Sequence, residues 1–482
     1  MPDADAAFAA RAPSGVVRSE MIDHDRIFWQ RARPAPRAAL TGVHETDVAV
    51  IGGGISGLFA ARKLLEAGKR VALLEADLVG GGASGTSSGF ITADSELQVA
   101  QLLRRFGPER ARQLFDAANA VIGAIRSDIE GLGIACDRVD ADCLFVARDP
   151  SSTEEIREEH DARLSLGMES HLLDDVALRT ALGTSRYTAG VRYGGTYAID
   201  PFAYCQGLAR ELEDRGLRIF EATRVTELLP RAVRCAAGEL RCERVVIATD
   251  RFTPELGLER RDVFSVQTVL ALSAPLPPER LASLFPSGPL MVWDSALDYR
   301  YFRPTGDGRL LIGGNRLTRT YLSSSDDTGA VVKMLVEEVK HLLPGLGELA
   351  IEWQWPGGIG VSRDLLPIAG PLDERRSVAI CGTGLPWAAL GGEVAARAAL
   401  GSPEELDALF DPYRSFTELE LFQPLLGKPL TFALSHLHAK RWLTGTSTQV
   451  RRRKGVIGVA LGVAALAALG WWIARPVSHS MR

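Results

Sequence analysis

The first clear pattern of hydrophobic and polar positions in the chain begins at Val48. Four apolar residues, Val48–Ile51, form a run that is typical of a buried parallel strand. Apolar residues then recur at helical spacing over residues 58–65, and Gly68 marks the end of that helix. A second apolar run, Val71–Leu74, predicts another strand. Together these segments predict a strand, a helix and a parallel strand, which form a βαβ unit.

Two further patterns predict a long helix and a group of paired strands. A 3.6-residue periodicity of apolar positions predicts helix within Glu96–Leu132. The segments TVLALSA and YRYFRP have the character of strands, and Asp307–Gly308 supplies a hairpin turn after the second of them. Because such strands cluster in the middle of the chain, we expect them to form an antiparallel sheet.

The end of the chain has a different pattern. Gly455–Ala474 contains twenty residues without a charge, which as a helix would measure roughly 30 Å, the thickness of a bilayer core. The segment predicts a C-terminal transmembrane helix, although a buried C-terminal helix remains the alternative. Arg451–Lys454 precede it, so the positive-inside rule predicts a single-pass membrane anchor with the catalytic domain in the cytoplasm.

Composition and charge narrow the class of protein. A chain of 482 residues is too long for one hydrophobic core, so we expect more than one unit. The net charge of −5 argues against a nucleic-acid partner. The six cysteines show no CxxC spacing, which indicates reduced thiols and no metal site. The Ala-, Arg- and Pro-rich stretch Arg31–Leu40 is typical of a flexible lead-in.

The predicted βαβ unit carries a G-x-G-x-x-G pattern at its first turn. The first glycine permits the tight turn, the second lets a pyrophosphate approach the backbone, and the third packs the helix against the strand. The helix N-terminus attracts phosphate, and the acid that ends the second strand suits a ribose diol. An acid there disfavours NADP and leaves NAD or FAD. The predicted contacts are Gly52, Gly54, Ile55, Ser56, Gly57, Glu75 and Ala76.

The loop after the second strand decides between these cofactors. It reads GGGASGTSSGF over residues 80–90, where glycines allow close backbone approach and hydroxyls offer hydrogen bonds. A loop of this kind can pass beneath the pyrophosphate and ribityl chain of a flavin, whereas a nicotinamide site does not need it. The predicted contacts are Gly82, Ala83, Ser84, Thr86, Ser87, Ser88 and Gly89.

These two motifs together resemble the FAD-dependent amine and amino-acid oxidases of the D-amino-acid oxidase/glycine oxidase superfamily, in particular its gamma-glutamylputrescine oxidase-like branch. Segments Ile199–Leu228, Arg244–Asp250, Trp355–Pro371 and Gly382–Leu390 extend the resemblance in the expected order. The resemblance implies FAD as cofactor, and it implies further contacts from Val225 to the adenine, from the strand end at Ala248 and Thr249, and from the start of a helix at Gly384, Leu385 and Pro386.

The resemblance also implies the fold class. It is α/β, with a Rossmann-like FAD-binding domain built on a parallel sheet and a second, antiparallel-sheet substrate domain, to which the sequence adds the C-terminal transmembrane helix. Residues 406–454 are expected to be either an amphipathic helix on the membrane surface or a segment packed on the FAD-binding domain. The expected division is 1–43 lead-in; 44–135, 200–265 and 355–405 FAD-binding domain; 136–199 and 266–354 substrate domain; 406–454 connector; 455–474 transmembrane helix.

The expected activity is oxidation of a C–N bond in a small amine or amino-acid-like substrate. Hydride would pass to flavin N5, water would hydrolyse the imine, and O2 or a membrane quinone would take the electrons. The related amino-acid oxidases hold the substrate carboxylate with an arginine near Trp355–Gly358, where this chain has none, so an amine is favoured. A sarcosine- or dimethylglycine-like demethylase and a catalytically degenerate flavin-binding membrane scaffold remain alternatives.

Three side chains are candidates for contact with the substrate. Alternation along the YRYFRP strand places Tyr299, Tyr301 and Arg303 on one face. We predict that Tyr301 and Arg303 of this strand act at the catalytic site. Trp387, at the start of the last predicted helix, is the third candidate. Ordinary sheet packing for the first two, and core packing for Trp387, are the competing interpretations.

Overall fold

The computed structural model of the protein describes residues 27–94, 96–258, 263–296, 299–314, 328–382 and 384–414. Within these ranges the chain forms strands and helices that alternate along the sequence. The strands are β1 (Gly42–Glu45), β2 (Val48–Ile51), β3 (Val71–Leu74), β4 (Phe90–Ile91), β5 (Val139–Asp140), β6 (Asp142–Ala147), β7 (His171–Leu173), β8 (Ala189–Tyr193), β9 (Tyr197–Ala198), β10 (Arg218–Phe220), β11 (Val225–Leu229), β12 (Ala232–Cys235), β13 (Gly238–Arg241), β14 (Arg244–Ile247), β15 (Val263–Ser273), β16 (Leu290–Asp294), β17 (Arg300–Pro304), β18 (Leu310–Gly314), β19 (Ile351–Ser362), β20 (Ile368–Pro371) and β21 (Arg376–Ile380). The α-helices are α1 (Ile55–Glu66), α2 (Val99–Leu132), α3 (Thr153–Ser165), α4 (Asp175–Leu182), α5 (Pro201–Asp214), α6 (Pro278–Leu284), α7 (Thr328–Leu342) and α8 (Leu385–Leu400).

A six-stranded sheet in the order β10-β3-β2-β14-β21-β20 forms the first layer. Its first five strands run parallel, and β20 pairs antiparallel with β21. All four residues of β2 and of β3 are buried, as their uninterrupted apolar runs predict for central parallel strands. Helices α1 and α8 pack on one face, and a small sheet in the order β1-β13-β12-β11 packs near the other.

The predicted βαβ unit is present, since β2, α1 and β3 occupy the predicted positions. The predicted helix within Glu96–Leu132 is also present as α2, but it contains a break. Gly107 has a φ of +79° and Pro108 follows it, so the chain forms two helical pieces joined at a kink. The kink follows from proline chemistry, because Pro108 has no N–H to donate to the preceding turn.

The second large sheet has eight strands in the order β19-β15-β18-β17-β16-β6-β8-β7. Its pairs are antiparallel except for β16 with β6, which run parallel. The expectation of an antiparallel sheet is therefore corrected to a mixed sheet. The two parallel strands are far apart in the chain, so no tight hairpin forces them to run in opposite directions.

The two faces of this sheet have different neighbours. Phe302 on β17 belongs to an apolar cluster that also includes residues of α4, α6 and α7. The next residues on either side, Tyr301 and Arg303, lie on the opposite face, where the Arg303 guanidinium contacts the loop that follows β3. The strand alternates as the sequence predicts, and we call this second face the inner face.

The N-terminal segment is anchored to the fold. Ile27, Phe28 and Trp29 are buried, and the side chains of Arg33 and Arg37 pair with Asp77 and with Glu213 and Glu221, respectively. The expectation that Arg31–Leu40 is a flexible lead-in is therefore wrong. Its composition resembles that of a linker, but Arg33 and Arg37 pair with carboxylates that are distant in sequence.

Two of the predicted domain boundaries, 265/266 and 354/355, fall inside β15 and β19, which pair along almost their whole length. The predicted connector is described only as far as residue 414, where Phe410 packs on the indole of Trp387. No helix in the described part of the chain is both long and apolar enough to span a bilayer. The predicted transmembrane helix, 455–474, lies outside the described residues and stays a prediction.

Candidate functional site

The turn between β2 and α1 requires its glycines for two different reasons. Gly52 has a φ of +104°, and a Cβ added there would lie 2.4 Å from the carbonyl oxygen of Ala248. A Cβ added to Gly57 would lie 1.9 Å from the carbonyl oxygen of Gly52. Gly54 is the N-cap residue and provides no side-chain cap to α1. The result is a helix N-terminus without a side-chain cap from its N-cap residue, at the carboxyl edge of the parallel sheet.

Glu75 closes this turn from the end of β3. Its carboxylate accepts hydrogen bonds from the backbone N–H groups of Gly53, at 2.6 Å, and Asp77, at 2.9 Å. Burial raises the pKa of Glu75, and these two hydrogen bonds oppose the shift. The backbone N–H of Thr223 donates to the Glu75 carbonyl at 2.8 Å, which brings the chain leading to Val225 beside this acid. The predicted ribose contact and this turn-closing role are compatible, because a carboxylate accepts several hydrogen bonds.

Ser84 connects the glycine- and serine-rich loop to the same helix. Its hydroxyl oxygen accepts a hydrogen bond from the N–H of Ile55 at 3.0 Å. A Cβ on Gly54 would lie 3.1 Å from this oxygen, so the loop and the turn are in close contact. A hydroxyl that accepts from the helix keeps its own hydrogen to donate to a phosphate. Ala76 is exposed beside this edge, and Gly82 and Ala83 are partly exposed within the loop.

Asp250 is a site residue that the sequence did not predict. It connects the ends of β14, β19 and β21. It follows Ala248 and Thr249 at the end of β14 and has a φ of +46°, a conformation that aspartate tolerates better than most residues. Its carboxylate accepts a hydrogen bond from the N–H of Gly360 at 2.8 Å, and Gly382 donates to the Gly360 carbonyl at 3.0 Å. Burial raises the pKa of Asp250. An acid directly after a strand that precedes a turn is the only sequence signal for this role.

These features form one edge that suits an adenine dinucleotide. Part of the surface stays exposed there at Gly52, Gly54 and Ser56 of the first turn, at Thr249 after β14 and at Gly384 before α8. A family model described as FAD dependent oxidoreductase (DAO) matches residues 47–398 of the chain. The protein belongs to this family. Its cofactor is therefore FAD, and the predicted family resemblance is confirmed.

Individual relatives agree with the family assignment. The chain is 28% identical to gamma-glutamylputrescine oxidoreductase of Escherichia coli, over 80% of this chain and 92% of the relative. It is also 28% identical to the "Probable oxidoreductase OrdL" of Haemophilus influenzae, over 76% and 86%. The crystal structure of glycine oxidase from Geobacillus kaustophilus superposes with a TM-score of 0.67 at 22% identity, covering 78% of this chain and all of that one. The last comparison supports the fold.

The flavin loop, residues 80–89, accepts hydrogen bonds from side chains outside it. Gln30 donates to the Gly81 carbonyl at 3.1 Å, and three more side chains bind carbonyls near the end of the loop. The indole N–H of Trp355 donates to the carbonyl of Thr86 at 2.9 Å, and the indole N–H of Trp29 donates to the carbonyl of Ser87 at 3.0 Å. The Nε–H of Arg303 donates to the carbonyl of Ser88 at 2.7 Å. Three consecutive carbonyls are thus satisfied by residues from three distant segments. Gly89 completes the loop with a φ of +74°, and its carbonyl accepts from the N–H of Ile199 at 2.9 Å.

Arg303 contacts the flavin loop directly, and its predicted catalytic role stays a prediction. Its side chain is fully buried, and it also donates to the carbonyls of Ile199 at 3.0 Å and Pro304 at 3.1 Å. Burial lowers its pKa to about 10, while Asp137 and Asp200 act in the opposite direction. A guanidinium has five N–H donors, and here three backbone carbonyls occupy it. The geometry favours a positioning residue for the flavin loop over a group that contacts substrate.

Trp387 also fits the packing interpretation better than the catalytic one. The side chain is fully buried, and its indole N–H donates to the carbonyl of Ala93 at 3.0 Å. Leu385 and Pro386 beside it are buried in the first turn of α8, after Gly384 with a φ of +116°. A Cβ on Gly392 would lie 2.0 Å from the carbonyl of Ser56, so α8 packs directly on the start of α1.

Of the three predicted catalytic candidates, Tyr301 has the position that best suits contact with a substrate. Its ring is partly exposed on the inner face and covers Gly313, where a Cβ would lie 2.1 Å from the ring. Burial raises the pKa of the Tyr301 phenol, and a hydrogen bond with Thr268 partly offsets the shift. The ring lies 5.9 Å from Phe90, which directly follows the flavin loop. Tyr301 therefore contributes an aromatic wall next to that loop.

The remaining chemistry of the described residues is simple. Their six cysteines are free and buried. In the same ranges no group of three histidine, cysteine or acidic side chains is arranged to hold a metal ion.

Proposed function

We propose that the protein oxidises a C–N bond of a small amine or amino-acid-like substrate with bound FAD. Membership of the DAO family supports the oxidoreductase class, and the names of the relatives support an amine or amino-acid substrate. The observation that favours an amine is β19, where the predicted place of a carboxylate-binding arginine contains glycine. A Cβ on Gly357 would lie 3.1 Å from Thr268 Oγ1, so a larger side chain there would require Thr268 to move.

The bound flavin would supply a two-electron acceptor for hydride from the carbon next to the substrate nitrogen, and water would hydrolyse the resulting imine. The chain's own residues would position the reactants. Trp29, Trp355 and Arg303 fix the flavin loop, and Tyr301 excludes water from one side of the substrate. Backbone N–H groups at the start of α8 would favour the negative charge that develops on reduction.

An anaerobic bleaching screen tests this proposal. The purified protein should be yellow, and an excess of a reactive amine should bleach its visible flavin bands in the absence of O2. A yellow protein that no amine or amino acid bleaches would support the degenerate scaffold instead. Bleaching confined to sarcosine or dimethylglycine would support the demethylase alternative.

The proposed acceptor is O2 or a membrane quinone, and the proposed location is a membrane with the catalytic part in the cytoplasm. The support is the charge-free segment Gly455–Ala474 after Arg451–Lys454, both outside the described residues. Removing residues 455–482 should release the protein from the membrane fraction and should abolish quinone reduction while O2 consumption persists. A full-length protein that stays in the supernatant of a membrane sedimentation contradicts the anchor.

A further inference from the structure

We propose that Glu96 and Tyr299 recognise a positively charged group at the far end of the substrate, which makes the substrate a diamine or a longer cationic amine. The inference rests on the proposed function and extends it by naming the class of amine. It depends on the contact between these two residues, on the aromatic wall beside them and on the acidic side chain of Glu96.

The two residues meet at the end of the aromatic wall. The Tyr299 hydroxyl donates to Glu96 Oε1 at 2.9 Å. Tyr299 immediately precedes β17, and its ring lies 6.0 Å from the ring of Tyr301 in that strand. Glu96 lies between β4, the strand that follows the flavin loop, and the start of α2. A substrate that extends from the flavin loop along Tyr301 would therefore reach the Glu96 carboxylate.

The wall between the flavin loop and Glu96 is aromatic. Phe90 lies 5.9 Å from Tyr301 and 6.2 Å from Trp293. Tyr299 then continues the row beyond Tyr301. Apolar ring surfaces suit the methylene chain of an alkyl amine, and ring faces also attract an ammonium group.

The surroundings of Glu96 leave its carboxylate available to a cation. Among the described residues no lysine, arginine or histidine forms an ion pair with it, and its hydrogen bond comes from a neutral phenol. The nearby arginines bind other acids: Arg300 pairs with Glu338 at 2.6 Å, and Arg163 pairs with Asp94 and Glu159. A carboxylate that accepts one hydrogen bond from tyrosine can accept more from an ammonium group.

The segment that carries Glu96 is held at both ends. On one side Asp94 accepts hydrogen bonds from the Tyr193 hydroxyl and from Arg163. On the other side the N–H of Ala100, in the first turn of α2, donates to the buried carboxylate of Glu159 at 2.9 Å. These contacts fix the chain on both sides of Glu96, and a fixed carboxylate binds a cation with a smaller entropic cost.

The test compares two substrates that differ only in the terminal charge. 1,4-Diaminobutane and pentylamine have the same length, and anaerobic stopped-flow reduction of the flavin gives a dissociation constant and a limiting rate for each. The wild type should bind the diamine more tightly. Glu96→Gln should weaken diamine binding about 10- to 100-fold and pentylamine binding less than about threefold, with limiting rates nearly unchanged, because a charged hydrogen bond is lost. Tyr299→Phe should weaken diamine binding by a smaller factor.

Glu158→Gln is the matched control. It removes one negative charge from α3, where Glu158 pairs with Arg104 at 3.0 Å on the surface. It should leave both dissociation constants unchanged. Flavin content and melting temperature of each variant show whether the fold is intact, and Tyr299→Phe provides a second variant if Glu96→Gln fails to fold.

Several results would overturn this inference. If pentylamine binds the wild type as tightly as the diamine, or if Glu96→Gln weakens both equally, the carboxylate does not recognise the terminal charge. In both cases flavin bleaching still supports the proposed function. If no amine bleaches the flavin, the proposed function itself fails, and this inference fails with it.

Discussion

The glycine turn after β2 and the flavin loop that follows β3 approach the same edge, but they are stabilised in different ways. The turn depends on local backbone geometry, since Gly52 needs its positive φ and Gly57 needs the absence of a Cβ. The loop depends on donors from distant parts of the chain, because Trp29 and Trp355 hold two of its carbonyls. A short motif can therefore specify the turn, whereas the loop is specified by the tertiary fold.

The largest effect is expected from Gly57→Ala. Its Cβ would lie 1.9 Å from the backbone oxygen of Gly52, and neither backbone can move without displacing α1 from β2. We expect a loss of more than about 4 kcal/mol in the free energy of unfolding, together with loss of FAD. Chemical denaturation and the ratio of flavin to protein absorbance measure both effects.

Gly123→Ala provides the control for that experiment. Gly123 lies inside α2, and a Cβ there meets no atom within 4 Å. Alanine should increase the stability by about 0.5–1 kcal/mol, because it favours a helix over the unfolded chain. If the two substitutions had similar effects, the steric account of Gly57 would be wrong.

A smaller effect is expected from Arg303, which binds the flavin loop from a distant strand. Arg303→Met removes the donors to the carbonyls of Ser88, Ile199 and Pro304 and leaves buried acceptors without partners. We expect a loss of about 3 kcal/mol in the free energy of unfolding and an FAD dissociation constant raised about 10- to 100-fold. Fluorescence titration of the apoprotein with FAD measures the second effect.

A catalytic role for Arg303 would give a different result. The FAD-saturated variant would then lose its limiting rate of reduction while stability and FAD affinity stayed near those of the wild type. Arg234→Gln is the control, because Arg234 is exposed and its pairs with Glu227 and Glu239 lie on the surface. Such pairs contribute little, so this change should lower stability by less than about 1 kcal/mol.

Asp364 also joins distant parts of the chain, through ion pairs with two arginines. The buried carboxylate binds Arg414 at 2.8 Å and Arg105 at 2.8 Å. Burial alone would raise the pKa of Asp364, but the two arginines outweigh it and lower the pKa to about 2. The stabilisation is therefore present above pH about 4 and is lost as the pH falls through about 2.

Asp364→Asn removes this dependence on pH. The difference in free energy of unfolding between wild type and variant should be about 2–3 kcal/mol at pH 7 and should shrink as the pH falls from 4 to 2. Urea denaturation at several pH values measures it. A difference that stays constant over this range would show that the ion pairs do not lower the pKa.

The sequence predicts the features that depend on local backbone geometry and misses those that depend on residues distant in the chain. The bounds of β2 and β3, the helix between them and the position of Glu75 follow from a pattern that spans about thirty residues. The role of Arg303 and the contact of Trp29 do not, because their partners lie far away in the chain. Alternation puts Arg303 on the same face as Tyr301, yet it cannot show which face this is or that the flavin loop would occupy the donors of Arg303. The parallel pairing of β6 with β16 was missed for the same reason.

The smallest effect is expected from Trp29→Phe, which isolates one hydrogen bond of the loop. Phenylalanine keeps an aromatic ring in the buried position but removes the N–H that donates to the Ser87 carbonyl at 3.0 Å. We expect the FAD dissociation constant to rise about 3- to 10-fold, because losing one hydrogen bond costs about 1 kcal/mol of binding free energy. Trp355→Phe should have a similar effect, because it removes the N–H that donates to the Thr86 carbonyl.

Trp353→Phe is the control for both variants. The Trp353 indole packs against Phe28 and has no indole hydrogen bond among the described residues, so this change should leave the FAD affinity nearly unchanged. If all three variants bind FAD equally well, the two indole hydrogen bonds do not hold the loop, and the contrast between a locally fixed turn and a remotely fixed loop fails at its weakest contact.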